Sequence, residues 1–231
     1  MPFFDAADCF RRYRDLVSGQ AELFVNPPGL MYEILTAPGE MSEAQEAARR
    51  SRKSHGLDVE DTRVGVLASD PYATVMREAV RFPDGSLGLY NRLLVPGGVV
   101  VLPVLRGSIV LIHRFRHGTR GFAYEAPRGI AGEGESLETD ARRELLEEIG
   151  AVAGELVDLG EVATTSGIVG EVMHLFLARI DRVGTPDRHE AIAGIVCCTI
   201  AETEDMILRG TIGDGPTLAA YLRAKLAGLL G

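Results

Sequence analysis

The chain has 231 residues, of which 46% are hydrophobic and 25% are charged, and its formal net charge is −9. This length and composition suit a chain that buries a sizeable core, whereas the acidic balance argues against a nucleic-acid-binding surface, which needs clustered Lys and Arg. The most apolar region, residues 93–112, is broken by Pro96, Gly97, Gly98, Pro103 and Arg106. It therefore predicts strands and turns, and no membrane span.

The three cysteines, Cys9, Cys197 and Cys198, are too few for a disulfide framework or a zinc site. The first residues show no basic region followed by an apolar run, so no signal peptide is visible. Both features predict a cytoplasmic protein.

Residues 1–60 are predicted to form an extension of helices and loops. Phe10, Tyr13 and Val17 share one helical face, and Ser42 with Gln45 resembles a capping box that opens a second helix. That helix should end near residue 54. Its basic end is more typical of a solvated face than of a binding patch, so this part indicates no chemistry.

Residues 61–98 change to a strand pattern, with apolar and β-branched runs at 62–68, 72–82 and 86–94. Pro83, Asp84 and Gly85 separate the last two runs and are typical turn residues. The pattern predicts an antiparallel sheet containing a hairpin.

Residues 99–231 combine strands with a few helices. The runs Val99–Leu105 and Ser108–Phe115 predict central strands that are buried on both faces. Further strands are predicted near 155–162, 172–180 and 191–199, and helices near 137–149, 201–209 and 216–229. Because there is no regular βαβ repetition, we expect an α/β sandwich.

The segment GIAGEGESLETDARRELLEEIGA, residues 129–151, is a glycine-rich loop followed by an amphipathic helix. Ser136 is placed to cap the first turn, and Gly150 suits the left-handed residue that follows a helix. At about 100° per residue, the apolar stripe of this helix consists of Leu137, Ala141, Leu145 and Ile149.

Three glutamates of this helix lie where a surface helix would not place them. Glu144 and Glu148 project onto the apolar stripe, and Glu147 lies just beyond its edge. Since a buried, unpaired carboxylate is costly, the cluster needs a cation, and oxygen ligands without Cys or His suit Mg²⁺ or Mn²⁺ and not zinc. The alternative is a solvated acidic helix with Glu–Arg pairs.

The same segment resembles the Nudix hydrolase signature G-x5-E-x7-R-E-U-x-E-E-x-G-U, in which U is aliphatic. The matching positions are Gly129, Glu135, Arg143, Glu144, Leu145, Glu147, Glu148 and Gly150. At the last position Ala151 replaces a larger aliphatic residue, which concerns packing and not the metal. So many fixed positions of defined type make a chance match rare.

This resemblance implies a Nudix-type α/β/α sandwich with a mixed sheet in residues 99–231. The sheet of residues 61–98 resembles the N-terminal sheet of ADP-ribose pyrophosphatases, which in that subgroup helps form a homodimer. The resemblance also implies that Glu144 and Glu148 bind metal, with Glu147 as a further ligand or acid–base aid. Arg143 and Glu135 are implied to form an ion pair that orients the glutamates.

Four arginines, Arg114, Arg116, Arg120 and Arg128, lie close to the helix in sequence. Arginine suits bidentate contact with phosphate, although each of the four could equally form a surface salt bridge. Arg116, Glu125 and Arg128 lie in a segment that resembles the substrate-contacting segment of ADP-ribose pyrophosphatases. Glu171 lies in a segment, residues 164–178, that resembles their ribose-side loop, but without the proline that many of them have there.

The candidates for the general base are Glu190 and Glu147. Glu190 precedes a strand at the place where ADP-ribose pyrophosphatases often keep their base, and a loop can close over bound substrate. His189 is a weaker candidate, and a loop glutamate can also be merely solvated.

The resemblance implies metal-dependent hydrolysis of the pyrophosphate bond of a nucleoside diphosphate linked to another moiety, with ADP-ribose or a related nucleotide sugar as substrate. Dinucleoside polyphosphates, GDP-sugars and NADH-type dinucleotides remain open as substrates. A different class also remains open, a non-catalytic Nudix-like module that senses nucleotides. In each case the expected partner is a small nucleotide, and neither nucleic acid nor membrane.

Overall fold

The computed structural model describes residues 4–29, 32–132, 134–186 and 190–230. These residues form two compact units, one made of residues 1–95 with 165–170 and the other of residues 96–164 with 171–231. The division of the sequence into parts at residues 60 and 98 stays a prediction. Within the described ranges no helix is both long and apolar enough to cross a bilayer.

The first unit packs two helices on a small antiparallel sheet. Its elements are α1 (Ala6–Gly19), a short 3₁₀ helix (Ala21–Phe24), β1 (Glu33–Leu35), α2 (Pro38–Ser54), β2 (Gly65–Ser69), β3 (Thr74–Arg81) and β4 (Leu87–Leu94). Strand β3 pairs antiparallel with β1, β2 and β4, which confirms the predicted hairpin between β3 and β4. Strand β1 was not predicted, because three residues are too few to show a period.

The predicted start of α2 is wrong. The helix begins at Pro38, and the Ser42 hydroxyl donates to the Pro38 carbonyl oxygen instead of capping a helix end. Gln45 instead donates its side-chain amide to the Thr62 carbonyl oxygen. Proline is favoured in a first helical turn because its missing N–H would have no partner there, and this signal took precedence over Ser42.

The second unit is built on a seven-stranded mixed sheet. Its elements are β5 (Gly98–Leu105), β6 (Ser108–Arg116), β7 (Gly121–Glu125), β8 (Arg128–Ile130), α3 (Leu137–Ile149), β9 (Ala153–Ala163), β10 (Val172–Ile180), β11 (Ile192–Cys198), α4 (Ile200–Leu208) and α5 (Gly215–Leu226). The strand order is β11-β6-β5-β10-β9, with β7 beside β6 and β8 beside β5. Strands β5 and β10 are parallel and the other pairs are antiparallel.

The sheet of the second unit is covered on both faces. Alternate residues of β5 pack in two separate apolar clusters: Val99 and Val101 lie with Leu145 of α3, whereas Val100 and Leu102 lie with Ala220 of α5. This arrangement confirms the α/β/α sandwich and the double burial of β5. It also places α3 across one face of the sheet, where Glu148 contacts Arg114 of β6 and the Arg128 backbone N–H of β8.

Candidate active site

The helix α3 begins and ends as its sequence predicts. Ser136 caps it by accepting a hydrogen bond from the Thr139 N–H, and Gly150 follows it with a left-handed φ of 59°. Ala141, Leu145 and Ile149 are fully buried, as predicted. Leu137, the first residue of the helix, is exposed instead of buried, so the apolar stripe is covered only from Ala141 onwards.

Two glutamates of α3 are buried against the backbone of β8 and the residues before it. Glu144 and Glu148 expose only 6% and 0% of their surface. A Cβ atom added at Gly129 would lie 2.0 Å from Glu144 Oε1, so only glycine allows this carboxylate to lie against the strand. Glu148 Oε2 accepts a hydrogen bond of 2.9 Å from the Arg128 backbone N–H.

Arg143 links three carboxylates of α3. Its guanidinium lies 2.6 Å from Glu144 Oε1 and 3.0 Å from both Glu147 Oε2 and Asp140 Oδ1. The expected ion pair between Arg143 and Glu135 is wrong, and Glu135 is exposed. Arg143 instead forms an ion pair with Asp140, which lies one helical turn earlier. Spacings of three and four residues bring helical side chains together, whereas Glu135 precedes the helix.

Asp140 has a second contact that the signature did not indicate. It is 1% exposed, and its two carboxylate oxygens lie 3.0 and 3.1 Å from the Gly132 N–H nitrogen. The residue therefore ties the glycine-rich loop to the helix. Its position four residues before Glu144 was the available signal, because residues at this spacing share a helical face.

Arg114 contacts carboxylates from three parts of the second unit: the helix α3, the strand β7 and the segment before β11. It forms an ion pair with Glu148, its Nη2 lies 2.8 Å from Glu190 Oε2, and its Nε lies 3.7 Å from Glu125 Oε1. The structure thus brings the loop residue Glu190 to the same cluster as α3, although the two are far apart in sequence. The weaker base candidate His189 lies outside the described residues.

Glu125 is the buried centre of the arginine-rich segment. It is fully buried and accepts a hydrogen bond of 3.0 Å from Arg116 Nε and one of 3.4 Å from Arg128 Nη2. Arg116 Nη2 also lies 2.6 Å from Glu125 Oε1, at an angle that does not make a hydrogen bond. Arg120 is not part of this group: it is exposed in the turn before β7, with its guanidinium 5.2 Å from the Phe115 ring centroid.

A cavity of about 370 Å³ opens beside these side chains. Arg116 and Arg128 line one part of it, and Glu171 lines another, where its Oε2 accepts a 2.5 Å hydrogen bond from Thr164 Oγ1. Gly98 and Gly129 also line the cavity. The cavity therefore places two cations and one carboxylate on a surface next to the glutamates of α3.

The carboxylates of α3 suit a hard divalent cation. Burial raises the pKa of Glu148 to about 7 and also raises the pKa of Glu144, because the neighbouring arginines offset only part of the cost of burying these charges. Their oxygen atoms match the donors that Mg²⁺ and Mn²⁺ prefer. Among the described residues no three acidic, His or Cys side chains form a ready metal cluster, and Arg114 and Arg143 lie between the carboxylates.

The fold and the site together define a class of protein. A mixed sheet lies between helices, and one helix presents buried glutamates to a glycine-bearing strand beside an arginine-lined cavity. Such a site can hold a cation and a bound anion side by side.

Comparison with known proteins identifies the family. The model of the NUDIX domain matches residues 95–221. The chain is 35% identical to the ADP-ribose pyrophosphatase of Bacillus subtilis over 44% of its own length and 55% of that protein, and 31% identical to that of Mycobacterium tuberculosis over 63% and 73%. The chain belongs to the NUDIX family, which confirms the family predicted from residues 129–151.

A solved structure supports the same fold. The crystal structure of an ADP compounds hydrolase superposes with a TM-score of 0.63 over 73% of this chain and 94% of that one, at 22% sequence identity. At this identity the likeness concerns the fold alone. The chain spans little more than half of the length of the Bacillus relative that it matches.

Proposed function

We propose that this protein hydrolyses the pyrophosphate bond of a nucleoside diphosphate linked to another moiety, with ADP-ribose or a related nucleotide sugar as substrate. The observation that carries the proposal is the pair of buried glutamates, Glu144 and Glu148, beside a cavity lined by Arg116 and Arg128. A phosphoanhydride already contains a good leaving group. Catalysis therefore requires chiefly orientation of the substrate, compensation of phosphoryl charge and activation of a water.

The residues divide these tasks between them. Arg116 and Arg128 bind phosphoryl oxygens, with Glu125 holding both guanidinium groups in place. Glu171 accepts hydrogen bonds from ribose hydroxyl groups. Glu190 takes the proton of the attacking water, with Glu147 as the second candidate for this role.

The metal proposed is Mg²⁺ or Mn²⁺. Glu144 and Glu148 would hold it, with Glu147 as a further ligand and Arg143 orienting all three side chains. When bound, such an ion compensates negative charge on the phosphoryl oxygens and lowers the pKa of a coordinated water.

The choice of substrate rests on the arginine cavity and on the resemblance to ADP-ribose pyrophosphatases. A panel containing ADP-ribose, GDP-mannose, a dinucleoside polyphosphate, NADH and ATP, assayed with Mg²⁺ for released nucleotide, tests it. We expect the highest kcat/KM for ADP-ribose or a related nucleotide sugar. A large preference for ATP would contradict the substrate class, and preference for one of the other compounds would select that alternative.

The second candidate function is nucleotide sensing without catalysis. A binding module has no need for three glutamates directed towards a metal, so the intact set favours the enzyme. Calorimetry with ADP-ribose separates the two, because a sensor would bind the nucleotide at constant stoichiometry and release no product over hours with Mg²⁺.

We also propose that the protein is a cytoplasmic homodimer. The proposal of a dimer rests on the resemblance of the hairpin β3–β4 to the N-terminal sheet of ADP-ribose pyrophosphatases. Light scattering coupled to gel filtration measures the mass directly, and a mass equal to one chain at micromolar concentration would contradict it.

A further inference from the structure

The start of α5 lies directly behind the arginine cavity. Asp214 caps this helix, and its two carboxylate oxygens have different partners. Oδ2 accepts hydrogen bonds from the Thr217 N–H at 3.0 Å and from the Thr217 hydroxyl at 2.7 Å. Oδ1 lies 3.1 Å from Arg128 Nη1. One carboxylate oxygen of Asp214 therefore caps the helix, and the other forms an ion pair with Arg128.

Thr217 connects the same helix end to the backbone beside Glu125. Its hydroxyl oxygen accepts a hydrogen bond of 2.9 Å from the Ala126 N–H, and the side chain is 2% exposed. The hydroxyl hydrogen is donated to Asp214, so the group uses its donor and an acceptor site at once. The helix start is thus bonded to the short segment that carries both Glu125 and Arg128.

Arg128 is consequently held at both ends of its guanidinium. Nη2 faces Glu125 Oε2 at 3.4 Å, and Nη1 faces Asp214 Oδ1 at 3.1 Å. A free arginine side chain samples many rotamers, and a binding site pays for ordering it when the ligand arrives. Two carboxylates that fix the guanidinium beforehand remove most of that cost.

We propose that Asp214 and Thr217 are positioning residues that hold Arg128 ready for a phosphoryl oxygen of the substrate. The inference rests on the proposed function, because it needs Arg128 to contact the substrate. Asp214 and Thr217 act through Arg128 and not on the substrate itself. No signature residue is involved, since both lie more than sixty residues after the segment 129–151.

The first test changes Asp214 to Ser. Serine also caps helices well, so α5 keeps its cap while Arg128 loses one carboxylate. We expect KM for the best substrate and Kd for ADP to rise by up to about tenfold, because Arg128 must then be ordered when the ligand binds, while kcat changes little. Asp5→Ser is the matched control, because Asp5 caps α1 by accepting from the Asp8 N–H and should leave both constants unchanged.

The second test compares two variants of Thr217. Thr217→Ser keeps the hydroxyl and should restore KM close to the wild-type value, whereas Thr217→Val keeps the shape and removes both hydrogen bonds. We expect Thr217→Val to raise KM as Asp214→Ser does. Circular dichroism and thermal melting show whether each variant is folded. If Thr217→Val does not fold, Asp214→Ser and Thr217→Ser still test the inference, because they differ in whether the Asp214 carboxylate is kept.

A double-mutant cycle with Arg128→Met decides whether the effect passes through Arg128. Once Arg128 is gone, Asp214→Ser should have no further effect on KM or on the Kd for ADP. If the effects of Asp214→Ser and Arg128→Met on KM are fully additive, Asp214 acts elsewhere and the inference is overturned. A lower KM in Asp214→Ser alone would also overturn it, because Asp214 would then act only as a negative charge near the bound anion. If Arg128→Met leaves both constants unchanged, the substrate contact in the proposed function fails and the positioning role fails with it.

The Kd for ADP keeps the test independent of turnover. A wild-type protein that binds ADP without hydrolysing any nucleotide would contradict the proposed reaction, but its ADP affinity would still test the coupling of Asp214 to Arg128. A protein that neither hydrolyses nor binds nucleotides would overturn both proposals.

Discussion

Each unit of this protein buries carboxylates, and the two sets of carboxylates differ in how they are paired with hydrogen-bond donors and arginines. In the first unit, Glu78 is 3% exposed and has its own partners: Tyr13 donates to it at 3.3 Å and Arg92 at 2.9 Å. The ring of Phe24 packs on both partners, which closes the group within the core. Glu78 thus has a hydrogen-bond donor and a cation of its own, although the buried Arg92 Nε has no hydrogen-bond partner among the described residues, and we assign the set a structural role.

In the second unit the carboxylates outnumber their cations and share them. Arg114 faces Glu125, Glu148 and Glu190 at once. These side chains also lie near a cavity and near Gly129, whose missing Cβ leaves the space that the Glu144 carboxylate occupies. A raised carboxylate pKa occurs in both units, so it does not distinguish structure from function. The features that distinguish the second set from the first are the sharing of arginines between carboxylates and the nearby open cavity.

The largest expected effect comes from Glu148→Gln, which keeps the size of the side chain and removes its charge. If Glu148 binds the metal, kcat at saturating Mg²⁺ should fall by about 10³-fold or more, while the melting temperature stays close to wild type. Glu78→Gln is the matched variant of the first unit and should change stability but not kcat. Normal turnover in Glu148→Gln would contradict the metal-binding role of Glu148, and its carboxylate would then be structural like that of Glu78.

A smaller effect is expected for Glu190→Gln. As the general base, Glu190 should contribute about 10²-fold to kcat, and the affinity for Mn²⁺ should stay nearly unchanged. Glu147→Gln should weaken Mn²⁺ binding as well, because Glu147 is proposed as a further metal ligand beside Glu144. Both constants are measured for both variants, Mn²⁺ affinity by electron paramagnetic resonance. Near-normal turnover in Glu190→Gln would return the role of base to Glu147.

Asp140→Asn tests the residue that took the place of Glu135. Loss of its charge should release Arg143 and loosen the loop at Gly132, and mutation of such supporting partners typically costs about 10-fold or more in metal affinity or activity. Glu135→Gln should leave both near wild type, because Glu135 is exposed and has no contact with Arg143. The reverse result would mean that the ion pair expected from the signature forms in solution.

The helix α3 could be predicted closely because its signals are local. Ser136, Gly150 and the spacing of Ala141, Leu145 and Ile149 act within a few residues, and the burial of Glu144 and Glu148 follows from the same spacing. The strands β5, β6 and β10 were also predictable, since an apolar run bounded by Gly or Pro needs no distant partner to be recognised. The short strands β7 and β8 were not, because they exist only through pairing with β6 and β5.

The contacts between distant residues could not be predicted from spacing. Arg114 meets Glu190 only because β11 pairs with β6, and Asp214 meets Arg128 only because α5 packs behind β5. In a period-2 strand, Arg114 and Arg116 share one face, which was the available hint that both reach the same site. The carboxylates that Arg114 would meet depended on the topology of the whole sheet.

The smallest expected effect concerns the closed set in the first unit. Tyr13→Phe removes the hydroxyl that donates to Glu78 and leaves part of a buried carboxylate without a donor, so the free energy of unfolding should fall by about 1–2 kcal/mol. Tyr221→Phe is the matched control: Tyr221 donates to Glu204, which water can reach, so the loss should be smaller. Urea denaturation measures both, and equal losses would contradict the closed character of the Glu78 set.

The pH dependence of the same variant sharpens this test. Burial raises the pKa of Glu78 above its ordinary value of 4.5, so the stability associated with its protonated form is present below about pH 4.5 and is lost as pH rises through the raised pKa. The Tyr13 hydrogen bond lowers that pKa by favouring the ionised form, so Tyr13→Phe should raise it further. The destabilisation should therefore be larger at pH 7 than at pH 4. A loss that is the same at both values would show that Tyr13 contributes through packing with Phe24 and not through Glu78.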